Sequence, residues 1–243
     1  MSEIESHIKN ILFKTFEYLY GIYPAEGTLF TNDGPRRLIF PSYSDEEKDG
    51  EIRVSEQELR FAFVDVLNDY CQNDDNNASN LRYSVETPTN GKYRFKDTDN
   101  PHIDDNGISG NMDLVIHDES GERLCLIEFK ANNPEPKDIE KDLVKLTNIE
   151  ERDKETKKPI LRYFIGLVKS TQPERTINNI KDKLNNIRIK TKDTRNNEKV
   201  HIIFFNLTDK KTLHEELFEF KKRSYNETSS SDTLTEWLSN IQQ

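Results

Sequence analysis

Apolar residues recur three or four positions apart at Ile4, Ile8, Ile11, Leu12, Phe16 and Leu19, which is the spacing of one helical face. A helix is therefore expected over Ile4 to Tyr20, followed by a Pro/Gly-punctuated segment over residues 21–50. A second helix opens at Ser55-Glu56-Gln57-Glu58, a capping box with Ser55 as N-cap and Glu58 three residues on. Its stripe is Leu59, Phe63, Val66, Leu67 and Tyr70. The period then shortens to two, the signature of strands. Leu81 to Thr87 reads as a strand, with Tyr93-Arg94-Phe95 pairing back across Thr89-Asn90-Gly91, and Pro101 to Gly107 reads as a loop.

Two further strands follow, Asn111 to His117 and Leu124 to Lys130, joined by the polar hairpin loop Asp118-Glu119-Ser120-Gly121-Glu122. Alternation places Met112, Leu114 and Ile116 on one face of the first, and Asp113, Val115 and His117 on the other. In the second strand Leu124, Leu126, Glu128 and Lys130 share a face. Beyond Asn132-Asn133-Pro134, a helix is expected from Lys137 to Glu151 with Ile139, Leu143, Leu146 and Ile149 buried. Leu161 to Lys169 reads as a central strand, Arg175 to Ile187 as a helix, and Val200 to Leu207 as a buried strand. A helix around Leu213 to Lys222 and a short one over Leu234 to Ile241, carrying Trp237, complete the chain. Helix and strand alternate in the second half, so the expected class is an α/β sheet with helices on both faces.

Three ionisable residues sit where apolar strands should not carry them: Asp113, Glu128 and Lys130. An uncompensated buried charge is costly, so each needs a partner or a role. An antiparallel hairpin brings Asp113 beside the Glu128–Lys130 end, converging two carboxylates and one amine. Glu-x-Lys alone is uninformative, since Glu46–Lys48, Glu135–Lys137, Glu155–Lys157 and Glu219–Lys221 repeat it in polar or helical surroundings. Only Glu128-Phe129-Lys130 ends an apolar strand with an aspartate a hairpin away. The trio suits metal-assisted phosphodiester hydrolysis: magnesium takes oxygen ligands and needs only one or two carboxylates. The bland alternative is a salt-bridged strand end.

Gly110-Asn111-Met112-Asp113-Leu114-Val115-Ile116, followed by Leu126-Ile127-Glu128-Phe129-Lys130-Ala131, resembles the PD-(D/E)XK nuclease superfamily, which includes restriction endonucleases. The resemblance departs from the family motif at Met112, where proline stands. It implies a restriction-endonuclease-like core, αβββαβ, with a mixed central sheet flanked by helices and N- and C-terminal helical additions. It implies that Asp113 and Glu128 ligate magnesium, or manganese in its place, with the Phe129 backbone carbonyl adding a ligand, and that Lys130 is the catalytic lysine. The superfamily often adds a carboxylate from the preceding helix. At roughly 100° per residue, Glu56 lies about 35° from the centre of its stripe and Glu58 about 125° away. Glu58 is explained by capping, so Glu56 is the candidate.

At 243 residues the chain is read as one domain, 1–243, with a core of about 51–208, an N-terminal helix and loop over 1–50, and C-terminal helices over 209–243. No apolar stretch approaches the roughly 20 residues needed to span a bilayer. No secretory signal opens Met1-Ser2-Glu3. Cys71 and Cys125 stand alone, so the expected compartment is reducing and cytoplasmic. Two cysteines exclude an iron–sulfur cluster within the chain, the five histidines lack zinc spacing, and neither a Gly-rich phosphate loop nor a Ser nucleophile elbow is present.

The net charge of −10 is unevenly spread. Residues 169–223 carry +6, residues 1–168 carry −13 and the tail carries −3. Lys181, Lys183, Arg188, Lys190, Lys192 and Arg195 cluster in the basic part, where they could track a phosphate backbone. The expected function is a magnesium-dependent nuclease acting on DNA, endo- or exonucleolytic, and cutting both strands would suit a homodimer. Its rivals are a catalytically silent regulatory protein binding nucleic acid or protein on the same fold, and an RNA-cleaving enzyme. The second rival is disfavoured by the lack of a surface interleaving aromatic and basic residues.

Overall fold

The computed structural model describes residues 3–23, 38–43, 50–73, 78–95, 101–152, 158–190, 193–209 and 211–220. The first amphipathic stripe forms α1 (Glu3–Ile22), burying Ile8, Ile11, Leu12, Phe16 and Leu19. The capping box opens α2 (Glu56–Gln72), where the Ser55 N–H donates to Glu58 Oε2 at 2.7 Å. The strands are β1 (Arg82–Arg94), β2 (His102–Ile103), β3 (Ile108–His117), β4 (Arg123–Ala131), β5 (Leu161–Val168), β6 (Val200–Asn206) and β7 (Lys211–Phe218). Helices α3 (Pro136–Thr147) and α4 (Pro173–Lys190) connect β4 to β5 and β5 to β6.

All seven strands form one mixed sheet in the order β2-β1-β3-β4-β5-β6-β7. Strand β3 is antiparallel to both β1 and β4, β4, β5 and β6 are parallel, and β7 returns antiparallel to β6. Helices α1 and α2 cover one face, over Leu114, Ile116, Ile127, Phe129 and Ile165. Helices α3 and α4 cover the other, over Val115, Leu126, Phe164, Ile202 and Phe204. Coverage on both faces explains why β5 is apolar without alternation from Tyr163 to Val168. The class is α/β, as the alternation of periods predicts. Among the described residues no helix is long and apolar enough to cross a membrane.

The loop expected over Pro101 to Gly107 contributes the two-residue strand β2, which pairs with β1 at Tyr93 and Arg94, and three larger expectations are corrected. The two arms read as a hairpin around Thr89-Asn90-Gly91 are one strand, β1, paired with β3 along its length with a register shift between Pro88 and Lys92. The cause is Glu151, a buried acid whose carboxylate accepts the Asn90 and Gly91 N–H groups, each at 2.9 Å. Thr89 Oγ1 adds bonds to Gly91 O and Gly110 N, so the segment bulges instead of turning back. Gly91 is required there, because a Cβ would come within 2.3 Å of Asn148 Nδ2.

The segment read as a helix over Leu213 to Lys222 is instead an edge strand, β7, pairing Phe218 with Val200 and His214 with Phe204. His214, Phe218 and Phe220 are buried two residues apart or four apart, so the sheet edge overrides local helix propensity. The expected helix Leu234 to Ile241 lies outside the described residues. The third correction concerns α3, which stops at Thr147 and is followed by a single 3-10 turn, Ile149–Glu151. There the Asn148 side chain accepts the Glu150 N–H and donates to Tyr93 Oη at 3.0 Å.

Candidate functional site

The β3–β4 hairpin pairs Leu114 with Ile127 and Val115 with Leu126, which sets Asp113 opposite Glu128 where the ladder ends. Strict alternation fails at this point. Leu114 and Ile116 pack under α1 and α2 as expected, but Met112 is buried on the α3 side with Val115. On the other flank, β1 pairs Val85 with Leu114 and Thr87 with Met112, which brings Glu86 opposite Asp113. Glu86 has φ of 48°, the left-handed region that a side chain with a Cβ enters at a cost of about 1–3 kcal/mol. The sheet is therefore kinked beside Asp113.

The kink lets Asp113 act out of the ladder. Its Oδ2 accepts the Phe129 N–H at 2.8 Å and its Oδ1 meets Arg60 Nη2 of α2 at 2.9 Å. Arg60 also reaches Glu86 Oε1 at 2.8 Å, bridging the strained residue and the aspartate. Glu128 points towards α3, where its Oε1 pairs with Lys145 Nζ, both side chains being buried. Lys145 further contacts Asp142 Oδ1 at 3.0 Å and Asn111 O at 2.8 Å. Its three donors are thus matched by three acceptors.

Lys130 stands at the C-terminal end of β4, opposite Gly166 of the parallel β5. Its Nζ lies 2.6 Å from Asp142 Oδ2, 3.1 Å from Phe129 O and 3.6 Å from Glu56 Oε1. Glu56, at the start of α2, is the half-exposed member at the mouth of the site. The four candidates Asp113, Glu128, Lys130 and Glu56 therefore share one cluster.

Charge within the cluster is tightly coupled. Burial pushes the Glu128 carboxyl well above its ordinary range, with Asp142 and Asp113 adding to the rise and Lys145 opposing it. Burial also raises Glu56, with Asp113 and Asp142 adding while Lys130 opposes. For Lys130, burial disfavours the charged amine, but Asp142, Glu56 and Glu128 outweigh it and raise its pKa. Lys145 follows the same pattern through Glu128 and Asp142.

Sequence reasoning missed three members: Arg60, Asp142 and Lys145. Asp142 was within reach, because it lies three residues after Ile139 and four before Leu146 and so shares their stripe. Arg60 carried no such signal. Three of the six residues of the basic cluster have partners within the chain. Lys183 donates to Asn133 Oδ1 and Pro134 O, Arg188 pairs with Glu216, and Arg195 pairs with Asp193 and Asp105. Lys181 is exposed, and the Lys190 side chain and Lys192 lie outside what the structure describes.

The hard oxygens of Asp113, Glu128 and the Phe129 carbonyl are the donor types that magnesium takes. Arg60 and Lys145 occupy the two carboxylates, and among the described residues no three His, Cys, Asp or Glu side chains are grouped so as to hold a metal ion. Five carboxyl groups, Glu56, Glu86, Asp113, Glu128 and Asp142, meet the three cations Arg60, Lys130 and Lys145. Comparison with protein-family models, curated proteins and solved structures returns no match.

Proposed function

We propose that this chain is a metal-dependent nuclease that hydrolyses phosphodiester bonds, with DNA as its substrate. The observation that carries the reading is the meeting of Asp113, Glu128 and Lys130 at one end of the β3–β4 hairpin, joined by Glu56 from α2. The resemblance to the PD-(D/E)XK superfamily supports it. So does the element order: α2, an antiparallel β1-β3-β4 meander, α3 and a parallel β5 match the αβββαβ core of that group.

Asp113, Glu128 and the Phe129 carbonyl would hold magnesium, or manganese in its place. When bound, such an ion lowers the pKa of a coordinated water and polarises a phosphoryl oxygen. The chain's own groups do the rest. Arg60 already bridges to Glu86, so its guanidinium remains paired when Asp113 is drawn away. Lys145 holds Glu128 in a fixed orientation. Lys130, at the more exposed end of the cluster, orients the attacking water or neutralises charge developing on the phosphate.

A second reading is favoured by one observation: Asp113 and Glu128 are each already neutralised by a cation. On that reading the protein binds nucleic acid or protein as a regulator and the cluster is structural. Incubation of the full chain with duplex and single-stranded DNA and with RNA, with magnesium, manganese or neither, separates the two. Metal-dependent cleavage lost in Asp113→Ala and Lys130→Ala, in variants that keep the far-ultraviolet dichroism of the parent, supports the nuclease. Cleavage that survives both substitutions would sink the site, and binding without cleavage under either metal would select the regulator.

A further inference from the structure

We propose that Asp142 is a positioning residue for Lys130, dividing its carboxylate between two lysines so that Lys145 is locked and Lys130 is aimed at the open side of the site. This rests on the nuclease reading and extends it to a residue outside the strand motif. The division is direct: Oδ1 lies 3.0 Å from Lys145 and Oδ2 lies 2.6 Å from Lys130. Among the described residues Asp142 Oδ2 accepts no hydrogen bond of standard geometry and meets Lys130 as an ion pair, so that oxygen has no competing duty. Asp142 and Lys145 are three residues apart on α3, whereas Lys130 comes from β4, so one carboxylate ties helix to strand.

The two lysines are not equivalent. Lys145 is 4% exposed and all three of its donors are taken, by Glu128, Asp142 and Asn111 O, which leaves none for a substrate. Lys130 is 12% exposed and spends two donors, on Asp142 and Phe129 O. Its third faces the side where half-exposed Glu56 stands 3.6 Å away. A lysine side chain has four rotatable bonds, and fixing them costs up to about 2 kcal/mol of rotamer entropy. Asp142 meets that cost in the folded protein, before any substrate arrives. Carboxylate rather than amide is needed, since an amide keeps one acceptor oxygen and turns its donor NH2 towards the other lysine, so it cannot serve both.

The test compares Asp142→Asn, Lys130→Ala and the double variant in magnesium-dependent cleavage of a DNA duplex, together with 1H–15N spectra of the lysine ammonium groups. We expect Asp142→Asn to lower kcat about 100-fold, the scale of a small misplacement of a reacting group, with KM unchanged. The double variant should be no slower than Lys130→Ala alone, and the Lys130 ammonium signal should vanish while that of Lys145 persists through Glu128. If Asp142→Asn does not fold, Asp142→Glu, which keeps the charge and moves it by one methylene, is read in the same way. Additive losses in the double variant, or a Lys130 signal that survives Asp142→Asn, overturn the proposal. A parent protein that cleaves nothing overturns the nuclease reading instead, and the ammonium spectrum then decides alone whether Asp142 holds Lys130.

Discussion

Asp113 accepts the main-chain N–H of Phe129 at 2.8 Å, a side chain standing in for the ladder carbonyl where β3 and β4 part. Its other oxygen is held by Arg60, so the carboxylate joins two strands and a helix. Asp113→Ala leaves that N–H unpartnered, which costs about 1–3 kcal/mol, whereas Asp113→Asn keeps an acceptor and should cost about 1 kcal/mol. Urea midpoints at constant m-value measure the difference. Equal losses for the two variants would mean that the Phe129 bond contributes nothing.

Glu128 and Lys145 make the buried pair of the site. Removing one member leaves the other buried and uncompensated, so Lys145→Met should destabilise by about 3–5 kcal/mol. The double variant Glu128→Gln/Lys145→Met removes both charges and leaves Asp142 to Lys130, and should recover most of that loss. A double variant as unstable as Lys145→Met would show that Lys145 serves Asp142 more than Glu128.

The sheet elements from β3 to β6 were legible because each reads as an apolar or alternating run that agrees with its tertiary role, Met112 of β3 excepted. The β1 segment was not, because its turn-like Thr89-Asn90-Gly91 is held as a bulge by Glu151, an acid some 60 residues away whose burial no local pattern reveals. The strand β7 was misread because Leu213, Leu217 and Phe220 also satisfy a helical spacing, and only pairing to β6 decides between them. In the site, the motif-bearing strands gave Asp113, Glu128 and Lys130, and the helical stripe gave Glu56. Arg60, Asp142 and Lys145 are the counter-charges that such a cluster requires. Their need was legible, but their positions depended on which helix turns reach the sheet.

His201 supplies a pH dependence separate from the site. Burial lowers its pKa from the ordinary 6.5, with Glu5 opposing and Lys9 adding, and its ring stacks on Tyr163 at 5.0 Å between centroids. The folded protein keeps this imidazole neutral while the unfolded chain protonates it, so the unfolded state binds more protons below about pH 6.5. Stability should be full above that pH and fall as the pH drops towards the lowered value. Glu215, raised by its own burial, acts in the opposite sense. The difference between parent and His201→Phe curves therefore isolates the effect. Parallel curves from pH 7 to 5 would remove His201 from the account.

Gly166 lies opposite Lys130 in the β4–β5 register and beneath the ring of Phe204. A Cβ there would meet Phe204 Cδ1 at 2.2 Å and Cγ at 3.0 Å, closer than carbon atoms approach. The ring is fully buried against the α3–α4 side of the sheet, so it has no open space to turn into. Gly166→Ala must therefore shift the strand or force Phe204 off its rotamer, at about 1–3 kcal/mol. Because the strand that would shift is hydrogen-bonded beside Lys130, cleavage should fall as well. Pairing the change with Phe204→Leu opens space above the new methyl and should restore stability and cleavage together. A Gly166→Ala protein as stable as its parent would show that β5 gives way without cost. Recovery of stability without recovery of cleavage would show that the register at Lys130, rather than the core, limits the site.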